Sequence, residues 1–285
     1  MSFFRYPGGK TKLLPQIIAK LRQFINEPDI EFREPFFGGG SVGLEIINDC
    51  KKLWINDKDL GIAALWSSVI NYHDLLKKRI DEFTPSVQMF DFYKDELTIK
   101  PPKLKKSYDI VDYGFMKLAI HQISYSGLGT KSGGPLGGRK SQNIAGIGST
   151  EAVKYPIDCR WTPKNICKKI DHIHNLFSSC QLHEGICTNI DFSEIIEDKS
   201  CNALIYLDPP YYIKGEDLYQ HSFTIDDHKR LADCLKKTSH KWVLSYDNCE
   251  EIKKLYDWAV IEEINEVKYS IKKSRLKSEL LISSS

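Results

Sequence analysis

A strand, a glycine-rich turn, a helix and a second strand follow one another between residues 31 and 57, and this order strongly constrains the fold. The first strand ends near Glu34, the turn reads FFGGGSVG, the helix runs through LEIINDC, and the second strand, KLWIND, ends at Asp57. A helix that crosses between successive strands places those strands parallel in one sheet. The segment therefore predicts an α/β protein.

A similar order returns after residue 200. NALIYL and KWVLSYDN are candidate buried strands, and the helix TIDDHKRLADCLKK between them opens with Thr224 and Asp227 in a capping-box arrangement. WAVIEEINEVKYS and SELLIS are predicted to close the sheet as an antiparallel hairpin. Near the N-terminus, KTKLLPQIIAKLRQFI has apolar residues at helical spacing from Leu13 to Ile25, with Pro15 suited to the helix start.

The character of the chain changes between residues 71 and 164. Helical patches alternate with KPPKLKK, and a stretch near residue 130 holds 8 of the 18 glycines of the chain, which predicts a long loop. Residues 100–169 carry 13 Lys and Arg against 4 Asp and Glu, an excess typical of surfaces that bind polyanions. We predict one α/β domain, formed by residues 1–70 and 165–285, into which residues 71–164 are inserted.

Composition narrows the class of protein. The chain is 41% hydrophobic, which is enough for a substantial core, and its net charge is only +2. The sequence contains no apolar run of 18 residues and no signal-peptide core, so we expect no membrane partner and a cytoplasmic location. The eight cysteines form no C-x-x-C pair, so we expect no metal site.

The glycine turn is a candidate nucleotide site. Gly38, Gly40 and Gly43 satisfy G-x-G-x-x-G at the end of a predicted strand, where glycines permit close approach of a nucleotide-like ligand. Asp57, at the end of the next strand, is placed to accept hydrogen bonds from ribose hydroxyls. The plainer interpretation of the glycines is a tight turn.

LIYLDPPYYIKG presents a carboxylate, two rigid residues and two aromatic rings at the end of a predicted strand. Prolines donate no backbone hydrogen bond, so a turn at Asp208, Pro209 and Pro210 offers only acceptors, a carboxylate and a carbonyl. Such a turn suits an amino group with two N–H donors, and Tyr211 adds a flat face for a planar ring. The plainer interpretation is a turn that ends the strand.

Together these motifs resemble the DNA adenine methyltransferases of the Dam type. The resemblance covers nearly the whole chain, through RYPGGK, EPFFGGGSVGLEI, WINDKD, NIDF, LDPPYY and RLKSELLI. The glycine turn comes first, the target-reading insertion second and the DPPY turn last, which is the order of the alpha group of that family. The resemblance implies a seven-stranded Rossmann-like methyltransferase sheet and S-adenosyl-L-methionine as cofactor. It also implies methylation of the amino group of adenine flipped out of double-stranded DNA.

The resemblance also implies roles for individual residues. The implied cofactor contacts are Tyr6, Gly9, Lys10, Phe36, Gly38, Gly40, Asp57 and Asp191. The implied catalytic residues are Asp208, Pro209, Pro210 and Tyr211. Two acceptors that hold both amino hydrogens would free the nitrogen lone pair to attack an activated methyl group, so positioning and electrostatics are the main catalytic terms.

The inserted segment is interpreted as the target-recognition domain. We assign DNA contacts to Lys131, Arg139 and Lys140 in its glycine-rich loop. HQISYSGLGTKSGGPLGGRK does not closely match the Arg-, Tyr- and Asn-rich hairpin of members that read GATC, so the target sequence stays open. A cognate restriction endonuclease as a second partner, and the oligomeric state, also stay open.

Other functions stay open from the residues alone. An NAD-type dinucleotide-dependent oxidoreductase would use the glycine turn, but it leaves the DPPY turn and the basic insertion without a role. A catalytically inactive DNA-binding relative would have no need of Asp208. The same turn also serves enzymes that methylate the amino group of cytosine, and the order of the motifs favours adenine.

Overall fold

A seven-stranded mixed sheet organises the chain. The computed structural model describes residues 3–6, 9–25, 29–99, 102–139, 155–213, 223–265 and 278–285. The strands are β1 (Glu31–Glu34), β2 (Lys52–Ile55), β3 (Gln181–Leu182), β4 (Ala203–Leu207), β5 (Lys241–Asp247), β6 (Val260–Asn265) and β7 (Ser278–Ser283). Their order across the sheet is β3-β2-β1-β4-β5-β7-β6.

The direction of the strands fixes where a ligand can bind. The first five strands in chain order run parallel, and β7 lies antiparallel between β5 and β6. Between β1 and β4 the sheet order reverses, since the chain runs outward through β2 and β3 on one side and through β5 on the other. Ligands of open α/β sheets bind at the carboxyl ends of the strands at such a reversal. The prediction of a seven-stranded Rossmann-like methyltransferase fold is confirmed.

Helices cover the sheet. They are α1 (Leu14–Arg22), α2 (Gly43–Ile46), α3 (Leu60–Asn71), α4 (His73–Glu82), α5 (Val87–Thr98), α6 (Ser107–Ile123), α7 (Pro163–Phe177), α8 (Phe192–Glu197), α9 (Ile225–Lys237) and α10 (Glu250–Leu255). Two short 3-10 turns lie at Gly129–Lys131 and His183–Gly185. Within the described residues, no helix is long and apolar enough to cross a membrane.

Local signals set several of these boundaries. Pro15 lies in the first turn of α1, as predicted, although the helix ends at Arg22 and not near Ile25. Helix α9 begins with the predicted capping box, in which the Thr224 hydroxyl accepts a hydrogen bond from the Asp227 amide while the Asp227 carboxylate accepts from the Thr224 amide. The antiparallel pairing of β6 and β7 confirms the predicted closing hairpin, whose connection lies outside the described residues.

The helices of the inserted segment share their core with the rest of the molecule. Helices α4, α5 and α6 bury apolar side chains in the same cluster as α1, α3, α7 and the central strands. Helix α6 approaches α3 so closely at Gly114 that an added Cβ would lie 2.6 Å from the Leu65 amide nitrogen. The predicted boundary at residue 71 therefore falls between two packed helices, and the division into two domains stays a prediction.

Candidate active site

A cavity of about 400 Å³ opens at the carboxyl ends of β1 and β4, where the sheet order reverses. At one end it is lined by the glycine turn, Asp57 and Asp191. At the other end lie Asp208 and Pro210. Residues that are far apart in the sequence therefore face one cavity.

The glycine turn follows β1 and leaves no room for side chains. Gly38 and Gly40 have φ values of 48° and 68°, in the left-handed region that favours glycine. A Cβ at Gly38 would lie 2.7 Å from the Tyr6 ring, and one at Gly40 would lie 2.6 Å from the Trp66 ring. The Trp66 indole also donates a 2.9 Å hydrogen bond to the Gly38 carbonyl, which fixes the turn from behind.

The Asp57 carboxylate holds this turn in place by hydrogen bonds, and Asp57 also lines the cavity. Its carboxylate accepts hydrogen bonds from the Gly38 amide at 2.7 Å and from the Asp59 amide at 2.9 Å. Burial, together with repulsion from Asp59, raises the pKa of Asp57 to about 7. A ligand that donates hydrogen bonds to Asp57 would favour the ionised form.

Glu34 is a cavity residue that the sequence analysis missed. It ends β1, is 3% exposed and lines the cavity. Its Oε2 atom is buried and has no hydrogen-bond partner within the described residues. Burial, with repulsion from Asp208 and Asp57, raises the pKa of Glu34 well above its usual value. A buried carboxylate with an unused oxygen suits a cationic ligand group, and its position at the end of a predicted strand was the available signal.

Three phenylalanines form an apolar wall. The Phe36, Phe192 and Phe223 rings lie 5.5 to 5.6 Å from one another, and all three line the cavity. The Arg230 guanidinium lies 4.3 Å above the Phe192 ring. This wall offers a planar aromatic ligand both stacking surface and apolar burial. The sequence predicted only Phe36 among these residues.

Asp191 lies beside this wall and is held by Arg230. The two guanidinium nitrogens of Arg230 contact the carboxylate at 2.6 and 3.1 Å, and the Ser193 amide donates to it at 3.0 Å. Burial would raise the pKa of Asp191, but these donors hold it well below its usual range. Asp191 is thus an ionised, firmly oriented acceptor at the rim of the cavity. Nothing in the sequence distinguished Arg230 from a solvated helix residue.

Asp208 begins the DPPY turn directly after β4. Its Oδ1 atom lies 2.9 Å from the Lys10 ammonium and accepts a weak hydrogen bond from Ser245 at 3.4 Å. Burial raises the pKa of Asp208 to about 6, although Lys10 opposes this shift. The carboxylate is therefore mostly ionised at neutral pH.

Lys10, near the start of the described chain, contacts Glu279, near its end, beside this turn. Its buried ammonium lies 3.0 Å from Glu279 and donates a 2.5 Å hydrogen bond to the Tyr211 hydroxyl. Tyr211 in turn donates to Glu279 at 2.7 Å. Burial alone would lower the pKa of Lys10, but Asp208 and its neighbours raise it well above the usual value, so Lys10 is charged. Glu279, on β7, is a further residue that the sequence analysis missed.

The end of β5 holds the other side of the same turn. The two oxygens of Asp247 accept hydrogen bonds from the Tyr212 and Ile213 amides, both at 3.0 Å. Backbone amides that would otherwise point to solvent are therefore fixed. Asp247 and Glu279 are opposite one another in the pairing of β5 with β7, so one strand pair holds both the Tyr211 hydroxyl and the backbone that follows Tyr211.

The structure brings most of the predicted cofactor residues to the cavity. Tyr6, Gly9, Phe36, Gly38, Asp57 and Asp191 line it. Lys10 is directed toward Asp208 and does not line the cavity, and Gly40 lies behind the lining with Trp66. These assignments of individual roles stay predictions.

Of the predicted DNA contacts, Lys131 and Arg139 do not line this cavity. Lys131 ends the 3-10 turn Gly129–Lys131. Arg139 forms a bidentate ion pair with Asp91, at 2.8 and 3.1 Å. Lys140 lies outside the described residues. The proposed DNA-binding role of these three residues remains a prediction.

The sheet order, the glycine turn at the reversal and the acidic proline turn beside it define an α/β methyltransferase fold. Comparison with protein families agrees with this class. The chain matches the D12 class N6 adenine-specific DNA methyltransferases over residues 6–108 and 157–271. The match covers more than half of the chain, and the protein belongs to this family of DNA methyltransferases. The predicted family and enzyme class are confirmed.

Curated relatives extend over nearly the whole chain. Type II methyltransferase M.CviBI of Paramecium bursaria Chlorella virus NC1A is 24% identical over 278 residues, which cover 94% of this chain and 90% of that protein. Type II methyltransferase M.MjaIII of Methanocaldococcus jannaschii is 25% identical over 283 residues, with 92% and 90% covered. Type II methyltransferase M1.LlaDCHI of Lactococcus lactis subsp. cremoris is 22% identical over 258 residues, with 85% and 78% covered.

Proposed function

We propose that this chain transfers a methyl group from S-adenosylmethionine to the N6 amino group of an adenine flipped out of duplex DNA. One observation carries the proposal: the glycine turn with its acids and the Asp208 turn line one cavity. A cofactor held at the first end therefore faces an amino group held at the second. Base flipping is part of the proposal, since an adenine stacked within a duplex cannot enter the cavity that Asp208 lines.

The residues at the glycine-turn end fit S-adenosylmethionine. Glu34 has a buried oxygen for the ammonium of the methionine moiety. Asp57 faces the cavity as an acceptor for ribose hydroxyls, and the phenylalanine wall with Phe36 suits the adenine ring. When bound, this cofactor supplies a methyl group on a positively charged sulfur, which makes that methyl group electrophilic.

The residues at the other end orient the target amino group. Oδ1 of Asp208 is engaged by Lys10 and Ser245, so Oδ2 is the acceptor for one amino hydrogen. The Pro209 carbonyl accepts the other hydrogen. Withdrawal of both hydrogens from the ring plane localises the lone pair on nitrogen. Tyr211, with its hydroxyl held by Lys10 and Glu279, presents a fixed face on which the flipped base stacks.

The same aspartate serves proton removal. An amino nitrogen that takes a methyl group must also lose a proton. Asp208 is the carboxylate in contact with that nitrogen, and its pKa of about 6 lets it release the proton to water at neutral pH. Catalysis by these residues is then mainly positioning and electrostatic stabilisation.

The decisive experiment is single-turnover transfer of a labelled methyl group from S-adenosylmethionine to duplex DNA. The parent chain should label adenine, and mapping of modified bases in a DNA library should define one short target. Asp208→Ala should lower the transfer rate by a factor on the order of a hundred or more, comparable to loss of one preorganised electrostatic contact. Cofactor and DNA should still bind, because the Pro-Pro turn remains.

The outcomes separate this proposal from its alternatives. Near-parental transfer by Asp208→Ala would contradict the mechanism. Tight binding of NAD in place of S-adenosylmethionine would favour the oxidoreductase. DNA binding without transfer by the parent would favour a catalytically inactive relative.

We propose further that the methylated site is shared with a cognate restriction endonuclease. The three relatives are named type II methyltransferases, which supports a modification role in such a pair. DNA modified by this chain should then resist cleavage by the endonuclease that reads the mapped site. Cleavage at the same rate as unmodified DNA would contradict this partnership.

A further inference from the structure

A second cavity of about 680 Å³ lies directly against the first. It opens between the N-terminal segment, the end of α6 and the start of α7. Its charged lining residues are Arg5, Arg160 and Lys169, and we refer to it by these residues as the basic cleft. Tyr6 and Gly9 line both cavities, so the basic cleft adjoins the active-site cavity at these two residues.

The positive charge of the basic cleft is not compensated. No carboxylate lines it, and within the described ranges no ion pair forms at Arg5, Arg160 or Lys169. By contrast, Arg139 and Arg230 are each paired with an aspartate. Burial and the neighbouring Arg160 guanidinium lower the pKa of Arg5, so the two cations lie close enough to repel each other. Concentrated positive charge of this kind attracts phosphate.

Arg5 is held in place on the wall of the basic cleft. Its guanidinium donates to the Ser124 carbonyl at 3.0 Å and to the Tyr125 carbonyl at 3.3 Å, where α6 ends. Arg160 is exposed, and Lys169 is half-buried on α7. The fixed Arg5 guanidinium and the side chains of Arg160 and Lys169 therefore line the same cleft. Neutral donors from Thr11, Gln122 and Asn165 complete the lining.

We infer that the basic cleft binds the phosphodiester backbone of the strand from which the adenine is flipped, at the phosphates next to that nucleotide. A flipped base enters its pocket while its sugar and phosphates stay at the mouth. The basic cleft adjoins the active-site cavity at Tyr6 and Gly9, so its cations are placed to contact those phosphates. The inference rests on the proposed function, and it assigns backbone contacts to residues other than the predicted loop cations.

The chain offers a charge-matched control for this assignment. Arg160→Gln with Lys169→Gln removes two cations from the basic cleft. Lys164→Gln with Lys168→Gln removes two exposed cations from the same α7 segment, neither of which lines the basic cleft. Both variants lower the net charge by two. A difference between their DNA affinities would therefore depend on where the lost cations lie and not on the total charge.

Duplex DNA affinity should be measured for parent and both variants between 50 and 200 mM salt. The cleft variant should lose about tenfold in affinity near 0.1 M salt for each lost phosphate contact. Its slope of log affinity against log salt should shrink by about 0.9 for each contact. The control variant should stay close to the parent, and cofactor affinity should be unchanged in both. Equal losses in the two variants would overturn the inference.

Neutral methylphosphonate linkages locate the contact on the DNA. Placed one at a time along the mapped target, they should weaken binding to the parent at one or two linkages next to the target adenine. The cleft variant should show a smaller further loss at those linkages than the parent, because two of the three cleft cations are already absent. Full loss at the same linkages in the cleft variant would overturn the inference. Absence of methyl transfer by the parent would overturn the proposed function instead.

Cys159 provides a probe of the unmodified protein. It is exposed and lines the basic cleft beside Arg160. Bound duplex DNA should slow alkylation of Cys159, while the half-buried Cys201, which lies outside the cleft lining, should react at its original rate. Alkylation of Cys159 at an unchanged rate under saturating DNA would overturn the inference.

Discussion

At the residue scale, the electrostatic balance around Asp208 predicts how activity depends on pH. A protonated carboxyl group is a weaker acceptor for the amino hydrogen and cannot take up the proton that the methylated nitrogen must lose. The transfer rate should therefore rise as pH increases through about 6, the pKa to which burial raises Asp208. Lys10 lowers this pKa, so Lys10→Met should move the midpoint to higher pH. The measurement is single-turnover transfer at saturating cofactor and DNA. Lys12→Met, at a nearby exposed position, should leave the midpoint unchanged, and an unshifted midpoint in Lys10→Met would contradict the assignment.

Glu34 gives a second prediction at this scale. Glu34→Gln should weaken cofactor binding by roughly 1.5–3 kcal/mol, because a hydrogen bond to a charged group is lost. Isothermal titration with S-adenosylhomocysteine measures this loss. An analogue without the amino group should bind parent and variant alike, since it has no ammonium for Glu34 to hold. A loss of the same size with that analogue would show that Glu34 acts on the fold and not on the ammonium.

The stability of the free protein checks Glu34 independently. Burial raises the pKa of Glu34 above its unfolded value, so the folded state binds the proton more tightly than the unfolded state. The ionised form therefore costs stability as pH rises above the unfolded pKa. Glu34→Gln should be at least as stable as the parent at pH 8, as measured by urea unfolding.

At the element scale, the end of β5 should control turnover more than binding. Asp247→Ala frees the Tyr212 and Ile213 amides, so the turn that presents Tyr211 loses its anchor. We expect the transfer rate to fall about tenfold or more, as groups shifted from their productive geometry lose rate. Cofactor affinity should stay near that of the parent. Asp247→Asn, which keeps one acceptor oxygen, should recover part of the rate; equal rates in the two variants would argue against this anchoring role.

The elements also show which parts of the site local sequence can reveal. Asp208 and Asp57 were predictable because each lies at the end of a predicted strand, Asp208 directly after an apolar run and Asp57 one residue after one. Glu279 reaches Tyr211 only through the pairing of β7 with β5, across 68 residues of chain. Arg230 reaches Asp191 across 39 residues from an exposed helix face. Local periodicity describes a strand or helix but contains no information about the distant element it meets.

Lys10 is a residue that the sequence indicated although it did not indicate which side chains Lys10 contacts. The family resemblance implied that Lys10 contacts the cofactor. The structure shows a buried cluster with Asp208, Glu279 and Tyr211. Sequence indicated the residue, while the identity of its partners depended on the assembled sheet.

At the scale of the whole molecule, the shared core predicts one cooperative unit. Gly114→Ala would place a methyl group 2.6 Å from the backbone of Leu65, where no flexible side chain can yield. We expect a loss of about 1–3 kcal/mol in the free energy of unfolding, typical of overpacking. Tryptophan fluorescence and cofactor binding should be lost in the same transition. Gly133→Ala, with open space around the new Cβ, should be close to neutral. Separate transitions for the inserted helices and the cofactor site would contradict a shared unit.

Glu279 on β7 lies opposite Asp247 on β5. Methyl-transfer activity should therefore depend on the register in which these two strands pair. Side chains alternate between the two faces of a strand, so a shift of one residue would turn Glu279 away from Lys10 and Tyr211. Leu280, Leu281 and Ile282 are all buried, so a slipped strand would still place apolar residues on both faces. Such molecules would be folded but enzymatically inactive. A preparation that contains them would show a reduced fraction of active sites in a burst experiment, with each remaining site turning over at the full rate.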